Sequence, residues 1–204
     1  MAEPATSLRE RKKRATREAL KRAALELFVE RGYDETTLAE IADAAGVSTR
    51  TIFAYFPSKE DILFSTMETT RDALVQALAE RPAGIDTLTA LREFILASAH
   101  EKTELDHKLG QVIAADPTLS SHQRARIAQF RGVIAAAIAD DLGVGADDPR
   151  PQIAAASLIA AFELLERRDR AFSKAPTSTE IAAAIDPVIA FVRAGLQALP
   201  DRTG

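Results

Sequence analysis

Arg50 stands among Thr49, Thr51 and Phe53 in the stretch TTLAEIADAAGVSTRTIFAYFPSK, residues 36–59. Its guanidinium is suited to the edge of a guanine, which offers two acceptors to a planar fork in the major groove. A side chain used in this way needs a helix that presents it and leaves it unpaired. Ile52 and Phe56, one turn apart, are the expected inward anchors of that helix, which leaves Thr49, Arg50, Thr51, Phe53 and Tyr55 to face outward. Two aromatics on the open side of so short a helix imply a partner that covers them. Periodicity alone also allows an ordinary helical hairpin with Phe53 and Tyr55 in the core.

A second charge-bearing set lies upstream. From Leu8 to Arg22 there are eight basic residues (Arg9, Arg11, Lys12, Lys13, Arg14, Arg17, Lys21, Arg22) against two acidic ones, in a chain whose net charge is −4. Basic charge gathered at one end of an acidic protein is the electrostatic footprint of a DNA-binding surface. Arg11, Lys12 and Lys13 are the expected phosphate contacts here; Arg9 to Arg14 could instead reach a minor groove, and a charge run by itself is also compatible with a solvated face.

Metal and catalytic chemistry find little to work with. His100, Glu104 and His107 would share a face at i, i+4, i+7 if one helix ran through them, a plausible zinc set, but exposed side chains on a polar face are the ordinary explanation. Cysteine is absent, and no phosphate-cradling glycine loop, nucleophile elbow or H-E-x-x-H helix occurs. Asp140-Asp141 and Asp147-Asp148 flank Gly143 and Gly145 and read as turn formers and solvated charge. No enzyme activity, no metal and no cofactor are expected.

The elements that must position Arg50 are legible around it. Leu38, Ile41, Ala42 and Ala45 form an i, i+3, i+4, i+7 stripe, and Thr37 with Glu40 has the form of a capping box at its start. Gly46 can take the left-handed conformation that ends a helix and turns the chain. Ser48 is placed to cap the next helix, expected over Thr49 to Phe56. Helix, sharp turn and short second helix within two dozen residues match a helix-turn-helix DNA reader.

The run Thr36-Thr37-Leu38-Ala39-Glu40-Ile41-Ala42, then Ala45-Gly46-Val47-Ser48, Thr51-Ile52-Phe53 and Tyr55-Phe56-Pro57-Ser58-Lys59-Glu60 resembles the DNA-binding domain of the TetR/AcrR family of bacterial transcriptional repressors. The likeness covers about the first sixty residues. It implies base contacts from Thr49, Arg50, Thr51 and Phe53 and phosphate contacts from Tyr55 and Lys59, with Thr37 and Ser48 beside them. Family members commonly carry tyrosine where this chain has Phe53; phenylalanine keeps an apolar contact to a thymine methyl but lacks the hydroxyl.

Composition bounds the rest. At 204 residues and 47% apolar side chains the chain can build one or two packed domains. No run approaches bilayer-spanning length and the N-terminus lacks the apolar core of a secretory signal, so a cytoplasmic protein with no membrane partner is expected. Residues 1–7 read as a loose arm, followed by a helix from Leu8 to Arg31 closed by Gly32. After Pro57, Ser58 and Asp61 restart the chain as one long helix from Lys59 to Glu80, which in the resembling family acts as a lever between ligand and DNA. Helices follow near Asp86–Lys102, Glu104–Ala115, Leu119–Leu142, Arg150–Phe172 and Thr177–Leu199, the last kinked at Pro187. The fold class is all-α, about nine helices, with a DNA-reading domain over residues 1–59 and a regulatory domain over 60–204.

In the regulatory domain Phe94, Ile95, Leu109, Ile113, Phe130, Ile134, Ile159 and Phe162 could line an apolar effector pocket or simply fill it. The alanine-rich last two helices carry more apolar surface than a peripheral pair needs, so Phe162, Leu165, Ile185, Ile189 and Val192 are the expected homodimer interface; an intramolecular core would look alike in sequence. A dimer suits two heads on a palindromic operator of double-stranded DNA. The resemblance implies a repressor released when a largely apolar small molecule favours a head spacing that does not fit the operator. Rival readings are an effector-independent dimeric DNA-binding or architectural protein, and a helical adaptor for protein partners.

Overall fold

The computed structural model describes residues 7–101, 103–170 and 177–199, without the side chains of 100–101 and 165–170. Among them the chain is all helical, with ten helices: α1 Leu8–Arg31, α2 Leu38–Ala44, α3 Thr49–Phe53, α4 Lys59–Leu63, α5 Ser65–Ala79, α6 Thr87–Glu101, α7 Glu104–Ala115, α8 Pro117–Leu142, α9 Arg150–Arg170 and α10 Ser178–Ala198. Two compact units divide after Thr66, inside α5.

The first unit is built from short helices that cannot stand alone and are fixed by caps and a shared core. Ser7 and Thr37 each accept a hydrogen bond from the backbone N–H of a glutamate three residues on, while that glutamate's carboxylate accepts from the cap's own N–H, so α1 and α2 begin in capping boxes. Leu20, Ala24 and Phe28 of α1, Ile41 of α2, Ile52 and Phe56 around α3, and Ile62 of α4 are fully or almost fully buried. Thr36, itself buried, donates from Oγ1 to the Gly32 carbonyl at 2.8 Å and so closes the turn after α1.

The long helix expected over residues 59–80 is two helices. Phe64 leaves helical geometry (φ −98°, ψ 4°), its ring is buried, and Ser65 Oγ donates to the Ile62 carbonyl at 2.8 Å. A side-chain hydroxyl that takes a helical carbonyl competes with the backbone ladder, and burial of the phenylalanine holds the break. This accounts for the tenth helix and leaves α4 packed on α1 as part of the reading unit.

In the second unit α8 packs on α9, α7 and α6, and α10 packs on α6 and α9. Its core joins Leu74, Leu78, Leu88, Leu91, Ile134, Ile138, Ala155, Leu158, Ile185, Ile189 and Val192. Polar ties fix the ends. Asp141 at the end of α8 accepts from the Thr87 N–H at 2.6 Å and from Arg81 Nη2 at 2.5 Å, thereby capping α6 from another element; Asp148 pairs with the buried Arg150 at 2.8 Å. These two carboxylates are therefore not solvated turn charge as their sequence context suggested, because the glycine loop folds them back onto helix starts. α6 is tied to α10 by Arg92–Asp186, and Asp86, just before α6, pairs with Arg193.

α10 also corrects the expectation that no run is long enough for a bilayer. It is 21 residues long and contains an 18-residue stretch with a mean hydropathy of 1.4, sufficient by length and composition. It nevertheless carries Asp186 and Arg193 in ion pairs with Arg92 of α6 and with Asp86 just before α6, and one of its faces lies in the core.

Candidate nucleic-acid interface

Ser48 starts α3 by accepting a hydrogen bond from the Thr51 N–H at 3.2 Å, and its hydroxyl lies 2.7 Å from that of Thr51. Gly46, at φ +69°, makes the turn that brings α3 off the end of α2. Ile52 (0% exposed) and Phe56 (1%) fix the inner face. Thr49 and Arg50 are left exposed, and Phe53 is 55% exposed. No hydrogen bond or ion pair among the described residues engages Arg50, so its five donors remain available. Thr51 and Tyr55 are half-buried. The helix is shorter than the expected Thr49–Phe56, since the chain passes into a turn at Ala54.

Around α3, Thr37 is exposed and its hydroxyl donates to Glu40 Oε2 at 2.7 Å. This side-chain bond, aided by the Thr37 N–H, holds the Glu40 carboxyl below the usual carboxylate range. Arg11, Lys12 and Lys13 are exposed on the first turns of α1, as are Arg9 and Arg14. Lys59, by contrast, is half-buried and points inward: its ammonium donates to the Tyr33 carbonyl at 2.8 Å and lies 4.6 Å from the Tyr33 ring centroid. Arg17 is turned inward as well, onto the Tyr55 carbonyl and the Phe56 ring. The resemblance implies a phosphate contact for Lys59, and Arg17 belongs to the basic run of α1; the aromatic residues that receive them lie 26 and 38 or more positions away, beyond what local spacing reveals.

The model of the tetR family of bacterial regulatory proteins matches residues 20–66, and that of the MftR C-terminal domain matches residues 85–197. The chain belongs to the TetR family. TcmR, a helix-turn-helix transcriptional regulator of Streptomyces glaucescens, is 33% identical over 78% of this chain and 74% of its own length. MftR of Mycobacterium tuberculosis, assigned to regulation of mycofactocin biosynthesis, is 30% identical over 73% of this chain and 77% of its own. Among solved structures, Thermus thermophilus FadR, a TetR-family repressor in complex with lauroyl-CoA, superposes with a TM-score of 0.56 at 26% identity, covering 92% of this chain and 98% of that one. Like its relatives, this TetR-family chain is a DNA-binding transcriptional regulator and not an enzyme.

The remaining expected sites fall out differently in this TetR-family member. Ile185, Ile189 and Val192 are buried in the second unit's own core and are not free for a second copy; Phe162 is half-buried, and the side chain of Leu165 lies outside the described residues. Among the described residues, the large apolar side chains left open on α9 and α10 are Ile153, Leu164 and Phe191, the last 73% exposed. Sequence periodicity found the more apolar face of α10 and assigned it outward, whereas α6 and α9 occupy it.

Of the eight expected pocket residues, Leu109, Ile113 and Ile134 are buried, and Phe94, Ile95, Phe130, Ile159 and Phe162 are half-buried. A hollow of about 340 Å³ opens between α5 and α8, and of the eight Phe130 lines it, beside Met67, Glu68, Arg71, Arg126 and Gln129. The eight therefore do not form the wall of this hollow. The zinc alternative fails on continuity: Thr103 caps a new helix in a capping box with Asp106, so His100 and His107 lie on separate helices and share no helix face. The side chain of His100 is itself outside the described residues.

Proposed function

We propose that this TetR-family regulator is a repressor that reads a palindromic operator as a homodimer and is released by a small-molecule effector. Thr49, Arg50, Thr51 and Phe53 make the base contacts, and Arg11, Lys12, Lys13, Thr37, Ser48 and Tyr55 contact phosphate. The observation that carries this is Arg50: an unpaired arginine among exposed Thr49 and Phe53 on a helix whose inner face and cap are fixed. Because the helix backbone is already held, a bidentate guanine contact has only the side chain of Arg50 left to order.

The dimer uses the outer sides of α9 and α10, where Leu164 and Phe191 are large apolar side chains left exposed, since exposed apolar surface is the kind that an interaction covers. The effector is taken by the second unit and has an apolar body, in keeping with the half-buried Phe94, Ile95, Phe130, Ile159 and Phe162. The lauroyl-CoA held by the Thermus thermophilus relative is consistent with such a ligand. An effector changes DNA affinity only by binding two states of the protein differently. Selection of bound DNA from a random pool, then screening of metabolites for release of that DNA, tests the whole reading. Recovery of an inverted repeat and release by one compound class are expected; recovery of no common sequence would refute the operator. Binding that no metabolite relieves would favour the effector-independent dimer, a reading that the packed core of the second unit also suits.

A further inference from the structure

Arg17 and Lys59 supply two of the positive charges at the DNA-reading end, and both are spent inside the unit. Arg17 Nη1 donates to the Tyr55 carbonyl at 3.0 Å, and its guanidinium carbon lies 4.2 Å from the Phe56 ring centroid. Lys59 Nζ donates to the carbonyls of Tyr33, at 2.8 Å, and Asp34, at 3.3 Å, over the Tyr33 ring. These carbonyls lie in the two chain turns that bound the helix-turn-helix, after α1 and after α3, where no helix ladder supplies donors. A cation seated on an aromatic face and on carbonyl oxygens gives up both sets of contacts if it moves away to a phosphate.

We propose that Arg17 and Lys59 are positioning residues that hold α3 in place, through Tyr55–Phe56 and Tyr33–Asp34 respectively, and are not phosphate ligands. Arg17 fixes the backbone that carries Tyr55 as it leaves the recognition helix. Lys59, at the first position of α4, clamps the turn between α1 and α2. Arginine suits the first place because a planar guanidinium can lie on a ring and donate at its edge, and a compact ammonium suits the second because it must reach two adjacent carbonyls. The inference rests on α3 being the base-reading helix.

The test uses the full chain and two duplexes, one selected from a random pool by the parent protein and one unrelated duplex of equal length, titrated over a range of salt. Arg17→Met and Lys59→Met are each expected to weaken binding of the selected duplex by about tenfold or more, with the slope of log affinity against log salt unchanged. Arg17→Lys, which keeps the charge, is expected to lose affinity too. A slope reduced by about 0.9 per subunit bound, with Arg17→Lys binding like the parent, would overturn the proposal. Should circular dichroism show that Arg17→Met has lost helix, Arg17→Lys decides alone. Arg50→Ala in parallel separates the two layers: unchanged base preference there removes α3 as the reader, whereas altered slopes with the Arg50 effect intact remove the two positioning roles.

Discussion

Arg50 and Lys59 look alike to a count of charge and differ in what surrounds them. Arg50 is exposed and unpaired, so Arg50→Ala should weaken operator binding by about 1–3 kcal/mol and relax preference at one base pair per half-site. Equal affinity of variant and parent over a panel of operator variants would contradict this. Asp86 gives a second residue-scale outcome. The Arg193 guanidinium beside it holds its carboxyl well below the usual carboxylate range. A depressed folded pKa contributes stability that is present above the unfolded value of about 3.9 and disappears as pH falls through the folded one. Because the two side chains are 39% and 37% exposed, solvent screening limits the contribution to about 1 kcal/mol or less. Asp86→Asn should therefore lower the melting temperature at neutral pH by a few degrees, and the gap to the parent should narrow on acidification below about pH 4. A gap that widens in acid would reverse the assignment.

At the scale of elements, α1 and α10 each have two faces with different tasks. The exposed first turns of α1 carry Arg11, Lys12 and Lys13; replacing all three by alanine should weaken binding to every DNA sequence alike and flatten the salt dependence, because phosphate contacts act through counterion release. An unchanged slope would show that these charges are only solvated. On α10, Ile189 is 7% exposed within the core and Phe191 is 73% exposed. Ile189→Ala should cost about 2–5 kcal/mol of stability by leaving a cavity, read as a lower melting temperature. Phe191→Glu should leave helix content and core stability near those of the parent.

For the molecule as a whole, assembly is the property most dependent on that exposed face. Placing a charge at Phe191 puts an unpaired carboxylate into any interface the face forms, at a cost of several kcal/mol. Sedimentation of Phe191→Glu should show a monomer that binds a palindromic duplex weakly. A variant that sediments as the parent does would place the interface elsewhere, and a monomeric parent binding one chain per operator would remove the dimer altogether. The boundary of the reading unit also belongs to this scale. Its last helix, α4, is retained because Ile62, Leu63 and Phe64 are buried, and the unit ends at Thr66 and not where the helix-turn-helix motif itself stops.

What the sequence determined by itself were the features encoded within a few residues of one another. The capping box at Thr37, the αL turn at Gly46, the Ser48 cap, the anchors Ile52 and Phe56 and the all-helical class all depend on spacings of eight residues or fewer, which periodicity and local hydrogen bonding set. Tertiary structure alone decided which partner each face meets. The inward Arg17 and Lys59, the break at Phe64, the cap that Asp141 supplies to Thr87, and the turning of Ile185, Ile189 and Val192 into the core each depend on residues distant in the chain or on burial. An apolar stripe or a cation has the same local signature whether it faces its own core, a second copy or a phosphate; only the packing of the other helices supplies the difference in free energy that chooses among them.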